Sequence, residues 1–238
     1  MRTAVISDIH GNLEALEAFV GDVYKRDIDR IICLGDIVGY GANPNECIFL
    51  LRSLPRIQFV LGNHDATAVR ILSPKIMNKD AAKAILWTMK HLTQENYFFL
   101  KGIEPIIKIG DALYSHADPN KPSAWRYIIN REQAARTFTK VKEKIIFIGH
   151  SHFSMVIVKK NIFNIYINPP EVPIVPIINK KKQIFNCGSI GQPRDGNPKA
   201  SYLIYDETQQ QVEFYRIEYD YEQAAEKIKI AGLPNAFA

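Results

Sequence analysis

Five short apolar runs in this chain each end at a side chain that can hold a metal ion. AVIS (Ala4–Ser7) runs into Asp8, with His10 two residues on; IICLG (Ile31–Gly35) into Asp36; FVLG (Phe59–Gly62) into Asn63. ALYS (Ala112–Ser115) runs into His116, and IIFIG (Ile145–Gly149) into His150, with His152 two residues on. Runs of this length, rich in β-branched and aromatic residues and stopped by glycine or a polar group, read as buried strands. Leu13, Leu16, Val20 and Val23 recur at helical spacing after the first run, and Cys47–Leu54 reads as a helix before the third. Strand, helix, strand in that order specifies a parallel sheet. Ligands of open α/β sheets bind at the carboxyl ends of the strands, so residues far apart in sequence face one crevice. Gly35, Gly62 and Gly149 each precede such a residue, which suits a tight turn with close backbone approach.

The second half is dominated by strands. They are Ile106–Ile109, Ala112–Tyr114, Ile145–Ile148, Met155–Val158, Ile184–Phe185, Tyr202–Tyr205 and Val212–Tyr215, with a hairpin turn at Asp206–Gln210. Tyr221, Ala225 and Ile228 mark a closing helix. The segment INPPEVPIVP (Ile167–Pro176) has prolines that bar it from a central strand, and it reads as a surface excursion. Lys79–Leu100 reads as helical, with Ile85, Met89 and Leu92 on one stripe. It belongs to a helical insert of about 66–101 that either packs or caps the crevice.

A length of 238 residues fits a single domain, 1–238, with a sizeable core. With 47% hydrophobic and 23% charged residues the chain is not a disordered one. The net charge of +5 is spread out, Lys180–Lys182 being a short run, so no dedicated nucleic-acid face is indicated. Cys33, Cys47 and Cys187 are widely separated, which argues against a disulfide framework and a thiolate zinc site and suits a reducing compartment. MRTAVISD reaches an aspartate too soon for a signal peptide, and no apolar stretch approaches the ~20 residues of a membrane span. The expectation is a soluble cytoplasmic protein.

Singly, each polar strand end is ordinary: D-x-H is a common surface pair, and a buried histidine is usually a hydrogen-bonded core residue. Their joint placement is not ordinary. Of six histidines, His91 alone falls on the helical stretch rather than in a strand-end motif. The candidate ligands Asp8, His10, Asp36, Asn63, His116, His150 and His152 exceed what one tetrahedral or octahedral centre with an open position takes. Two neighbouring metals sharing one carboxylate use them naturally. Oxygen and imidazole donors without thiolate suit Mn²⁺, Fe²⁺, Co²⁺, Ni²⁺ or Zn²⁺.

The ordered series SDIHGN, GDIVGYG, GNHD, SHA and GHSH resembles the calcineurin-like metallophosphoesterase superfamily, in its bacterial phosphodiesterase-like branch. The stretch CGSIGQPRDGNP (Cys187–Pro198) is similar to a loop of its bacterial members, which often have proline in place of Cys187. The resemblance implies a four-layer α/β/β/α sandwich, metallo-dependent phosphatase-like, with two divalent metal ions, manganese favoured. It also implies Asp8, His10 and His152 on one metal, Asn63, His116 and His150 on the other, and Asp36 bridging. The implied reaction is in-line attack on phosphorus by a hydroxide shared by cations ~3.5–4 Å apart. His64 is the expected catalytic group at the leaving oxygen, with a pKa near working pH. Asp65 either positions that loop or the imidazole, or is a plain turn or N-cap residue.

The chain departs from the phosphoprotein phosphatases of the superfamily. They carry aspartate and arginine where it has Gly39 and Tyr40, and GNHE where it has GNHD. Without that arginine a clamp for a dianionic monoester is missing, which favours phosphodiesters. Candidate substrate contacts are Arg194, unless it forms a structural pair with Asp195; Asn12, with Gly11, as backbone donors opening the first helix; and Tyr40, which stacks on substrate or fills its loop. Competing activities are phosphomonoester and dinucleoside polyphosphate hydrolysis, with nucleic acid only as a substrate. The superfamily also contains a retromer subunit that acts as an interaction scaffold, a role that does not require His64 together with the full ligand set.

Overall fold

The computed structural model describes residues 1–161, 165–169 and 173–238. The chain opens with β1 (Arg2–Ile6), α1 (Leu13–Val23), β2 (Arg30–Cys33), α2 (Pro44–Ser53) and β3 (Ile57–Phe59). These are two strand–helix–strand units, and β1, β2 and β3 pair in parallel as the alternation requires. Asn12 caps α1, its Oδ1 accepting from the Ala15 amide at 3.1 Å, and Pro44 opens α2 where a missing N–H costs nothing. A helical stretch follows: α3 (Asn63–Ala68), α4 (Lys79–His91) and α5 (Gln94–Lys101). The predicted run 79–100 is therefore two helices. Leu92 is extended and Thr93 caps the second, its Oγ1 accepting from the Asn96 amide.

The remaining elements are β4 (Ile106–Ile109), β5 (Ala112–Ser115), α6 (Arg131–Lys140), β6 (Ile145–Ile148), β7 (Ser154–Lys159), β8 (Ile165–Asn168), β9 (Ile174–Pro176), β10 (Lys182–Cys187), β11 (Ala200–Asp206), β12 (Gln211–Ile217) and α7 (Tyr221–Ile230). Among the described residues they build two six-stranded sheets, ordered β3-β2-β1-β11-β12-β9 and β4-β5-β6-β10-β7-β8. The proline-rich segment corrects its reading as a mere excursion. Its described ends are edge strands, β8 on one sheet and β9 on the other, where Pro176 lies opposite Gln211. An edge tolerates the missing N–H of proline. Residues 170–172 of that segment lie outside the described residues.

The four layers follow from side-chain alternation along the strands. In β1, Ala4 and Ile6 face α1 and α2, meeting Leu16, Phe19, Ile48 and Leu51, and this core extends to Ile85 of α4 and Leu100 of α5. Val5 faces the other way, into an inter-sheet core with Leu203, Tyr114, Phe147 and Phe185. In β6, Phe147 faces that inter-sheet core, while Ile146 and Ile148 face Ala134 and Phe138 of α6. The α/β/β/α sandwich is thus built, and the carboxyl ends of β1, β2, β5 and β6 come to one side. Cys33, Cys47 and Cys187 are buried and unbridged. Among the described residues no helix is long and apolar enough to cross a membrane.

Candidate metal centre

The loops leaving these strands are tightly bent. Asp8, His10, Asp36, Tyr40, His150 and His152 all have positive φ, between 52° and 66°. A left-handed conformation costs a non-glycine residue roughly 1–2 kcal/mol, so surrounding contacts must hold it. They do so by interlocking the loops: the Asp8, His10 and Gly11 amides donate to the carbonyls of Gly35, Asp36 and Ile37 at 2.9–3.0 Å. Asp8 Oδ2 accepts from the His150 amide at 2.9 Å, tying the first sheet to the second.

The glycines before these residues are sites of close approach. A Cβ on Gly62 would stand 2.1 Å from the Asp36 amide nitrogen, and one on Gly149 would stand 2.0 Å from Ser7 Oγ. Gly62→Ala is expected to destabilise the fold by about 1–3 kcal/mol through overpacking, read as a lowered denaturant midpoint. An unchanged midpoint would show that the Asp36 loop yields freely.

The structure brings the separated ligand candidates together. Asp8, His10 and His152 form one group whose ligand atoms lie within 4.8 Å of one another, and Asp36, His116 and His150 form another. A third, overlapping group is His10, Asp36 and His64. Asn63 Oδ1 is 3.2 Å from His116 Nε2, beside the second group. Asp36 Oδ2 lies 3.8 Å from His10 Nε2 and 3.3 Å from His116 Nε2, between the two groups. His91 stays apart on α4, stacked on Trp87.

The outward hydrogen bonds of the imidazoles fix their tautomers. His10 Nδ1 donates to the Val38 carbonyl at 3.2 Å, His116 Nδ1 to Leu34 at 3.0 Å, His150 Nε2 to Trp125 at 3.0 Å and His152 Nδ1 to Gln192 at 2.6 Å. A carbonyl only accepts, so each ring keeps a proton outward and, when neutral, turns a lone pair inward. The inward nitrogens then meet in pairs, His10 with His152 at 3.2 Å and His116 with His150 at 3.1 Å. Two lone pairs at that distance need positive charge between them. Asp8 Oδ1 is buried without a hydrogen-bond partner, 3.3 Å from His152 Nε2. Inward lone pairs and an orphaned carboxylate oxygen fit divalent cations held through oxygen and imidazole nitrogen.

The titration behaviour agrees. Burial alone would raise Asp8 and Asp36, yet the imidazoles packed against them, His152 and His10 beside Asp8 and His116 foremost beside Asp36, hold both carboxyls well below the usual range. Burial would lower His116, but Asp36 outweighs it and pushes the ring up to about 9. His150 goes down to about 4 through burial and the charge of His116. A proton on His116 thus occupies the place the donor set offers to a metal.

His64 is buried, with Nδ1 lacking a hydrogen-bond partner, and its ring is 4.8 Å from that of His10. Burial pushes it down to about 3, so the expectation of a pKa near working pH is corrected: the ring is neutral and any proton it offers to a bond comes from a neutral N–H. The Asp65 carboxylate is engaged by backbone amides. Its Oδ1 accepts from the Ile37 and Val38 amides at 2.9 and 3.1 Å and its Oδ2 from Gly62 at 3.3 Å, so it holds the GDIVGYG loop against the start of α3. Burial and the charge of Asp36 push it up to about 7.

Asn12 is corrected as a backbone anion donor. The Gly11 and Asn12 amides are spent on the carbonyls of Ile37 and Ile9, and the Asn12 side chain caps α1 and donates to Gly191. The Arg194–Asp195 pair does not form: Asp195 pairs with Arg216, while Arg194 reaches the Tyr40 hydroxyl at 3.4 Å. The Tyr40 ring packs 4.4 Å from His10 and 4.5 Å from His64. Within the helical insert, Ala81 and Ala84 of α4 cluster with Tyr40.

Sequence reasoning missed Trp125, Tyr127 and Gln192. Trp125 and Gln192 act through backbone carbonyls, which carry no side-chain signal, and Tyr127 stacks on His150 at 4.1 Å from a segment with no motif.

Known proteins resemble this chain in sequence and fold. The calcineurin-like phosphoesterase family profile matches residues 1–154. An uncharacterized protein of Methanocaldococcus jannaschii is 44% identical over 235 residues, 97% of this chain and 93% of its own. The crystal structure of a metallophosphoesterase from Sphaerobacter thermophilus superposes with a TM-score of 0.88 at 37% identity, covering 100% of this chain and 97% of that one. A symmetrical bis(5'-nucleosyl)-tetraphosphatase of Yersinia pestis is 35% identical over 81 residues, 33% of this chain and 28% of its own length. Strand-end donors gathered in a two-sheet sandwich, and a profile match covering every one of them, place the chain in the calcineurin-like phosphoesterase family of metal-dependent phosphoester hydrolases.

Proposed function

We propose that the protein is a phosphodiesterase with a dinuclear metal centre. The observation that carries this reading is the position of Asp36 Oδ2 between the His10 and His116 nitrogens, where one carboxylate serves two donor groups. Asp8, His10 and His152 would hold one cation, Asn63, His116 and His150 the other, with Asp36 shared. Manganese is the first choice, and iron, zinc, nickel and cobalt suit the same donors. When bound, such cations acidify water and draw charge off phosphoryl oxygens.

The chain's own residues supply the rest. The His64 amide donates to Asp36 Oδ1 at 2.8 Å, which ties the start of α3 to the shared carboxylate and places the imidazole at the edge of the site. From there its N–H stabilises the leaving oxygen. The phosphodiester preference rests on Gly39 and Tyr40. A Cβ at Gly39 would stand 2.5 Å from His64 Nδ1, so an aspartate there would collide with the imidazole. Tyr40 fills the place of an arginine clamp, and a diester, carrying one charge fewer than a dianionic monoester, has less need of one. Arg194, exposed at the rim, is the proposed phosphate contact.

The segment shared with the Yersinia pestis tetraphosphatase favours a second reading, hydrolysis of a dinucleoside polyphosphate. Manganese-loaded protein assayed on bis(p-nitrophenyl) phosphate, p-nitrophenyl phosphate and diadenosine tetraphosphate separates these readings. The expected result is chelator-sensitive hydrolysis that is fastest on the diester. Faster turnover of the monoester or the tetraphosphate would overturn the diester assignment.

A further inference from the structure

Beside the metal centre lies a cavity of about 500 Å³, a size typical of small-molecule pockets. It is lined by His10 and Tyr40 of the site loops and by Tyr219, Ala225, Ile228 and Phe237 of the closing segment. Two features tie this cavity to the site. His10 belongs to the first donor group and also lines the cavity. Tyr40 packs on His10 and His64 and also on Phe237, at 4.4 Å, so its ring links the donor groups to the wall of the cavity.

The lining has the chemistry of a base-stacking pocket. Tyr219 and Phe237 offer aromatic faces, the Tyr40 ring backs Phe237, and Ile228 of α7 adds apolar surface. Glu222 and Lys229, one near each end of α7, and Gln192, whose Oε1 accepts from Arg194, supply an acceptor, a cation and an amide N–H with which to read polar ring edges. Aromatic faces with a few convergent polar groups suit a planar heterocycle better than an alkyl chain. We propose that this cavity binds the nucleobase of a nucleotide phosphodiester, with Phe237 and Tyr219 as specificity-determining residues; the assignment rests on the phosphodiesterase reading.

The test is competition against bis(p-nitrophenyl) phosphate by AMP, ribose 5-phosphate and inorganic phosphate, on the manganese-loaded protein. Base stacking is worth roughly 1–3 kcal/mol, so AMP should inhibit about 5- to 150-fold more tightly than ribose 5-phosphate. Phe237→Ala removes a stacking face and Ala225→Trp fills the cavity. Both should abolish the AMP preference while inorganic phosphate still inhibits. Calorimetric titration of AMP into the same proteins gives the ranking without turnover. Equal binding of AMP and ribose 5-phosphate, or an AMP preference surviving both variants, overturns the assignment. AMP binding that is lost in Ala225→Trp, in a protein that hydrolyses no diester, upholds the pocket and rejects the phosphodiesterase reading.

Discussion

Asp36→Asn is expected to strip the protein of bound metal and, on the proposed diesterase reading, to lower diester hydrolysis by ~10³-fold or more. The magnitude follows from the several kcal/mol of charge stabilisation that metal ions contribute to such a reaction, at about 1.4 kcal/mol per tenfold in rate. The amide keeps the shape of the side chain and an oxygen for the His64 amide, so the loop stays anchored. What it removes is the negative charge that Oδ2 shows to His10 and His116 together. Elemental analysis of gel-filtered protein reads metal content, and thermal unfolding confirms that the variant is folded. Metal content equal to that of the parent would refute the shared-carboxylate reading.

His64→Ala separates chemistry from metal loading. The ring lacks a partner on Nδ1, and the backbone amide that anchors the loop is kept, so the substitution orphans no buried group. Metal content is expected to match the parent, and turnover to fall by about 10²- to 10⁴-fold, the usual worth of a positioned proton donor. KM should change far less than kcat, because the N–H acts on charge that develops only as the bond breaks. Turnover within a few-fold of the parent would remove His64 from the reaction.

The strand ends were legible because two local signals coincide there, an apolar run and a metal-competent residue that stops it. The sandwich that the family resemblance implies forms, and Asp8, His10, Asp36, Asn63, His116, His150 and His152 converge. Helix α6 was not legible: of REQAARTFTK only Ala134, Thr137 and Phe138 are buried, too few for an apolar stripe. Its one sequence signal was the capping box, with Asn130 and Gln133 each satisfying the other's backbone amide. Asn12 looked like an anion donor because it opens a helix, but the interlocked loops consume those amides, a tertiary fact. Asp195 lies next to Arg194 in sequence and pairs with Arg216 of β12 instead, since only the fold brings that strand alongside the loop.

Asp8, Asp36 and Asn63 follow strands of one sheet, while His116, His150 and His152 follow strands of the other. An ion ligated from both therefore acts as a rivet through the sandwich, and prising the layers apart at this end also means releasing it. Ligand present at a thousand times its dissociation constant adds about 4 kcal/mol to a fold it binds. The chemistry and the endurance of this enzyme then draw on the same few atoms, and starving it of metal would shorten its life as well as silence it.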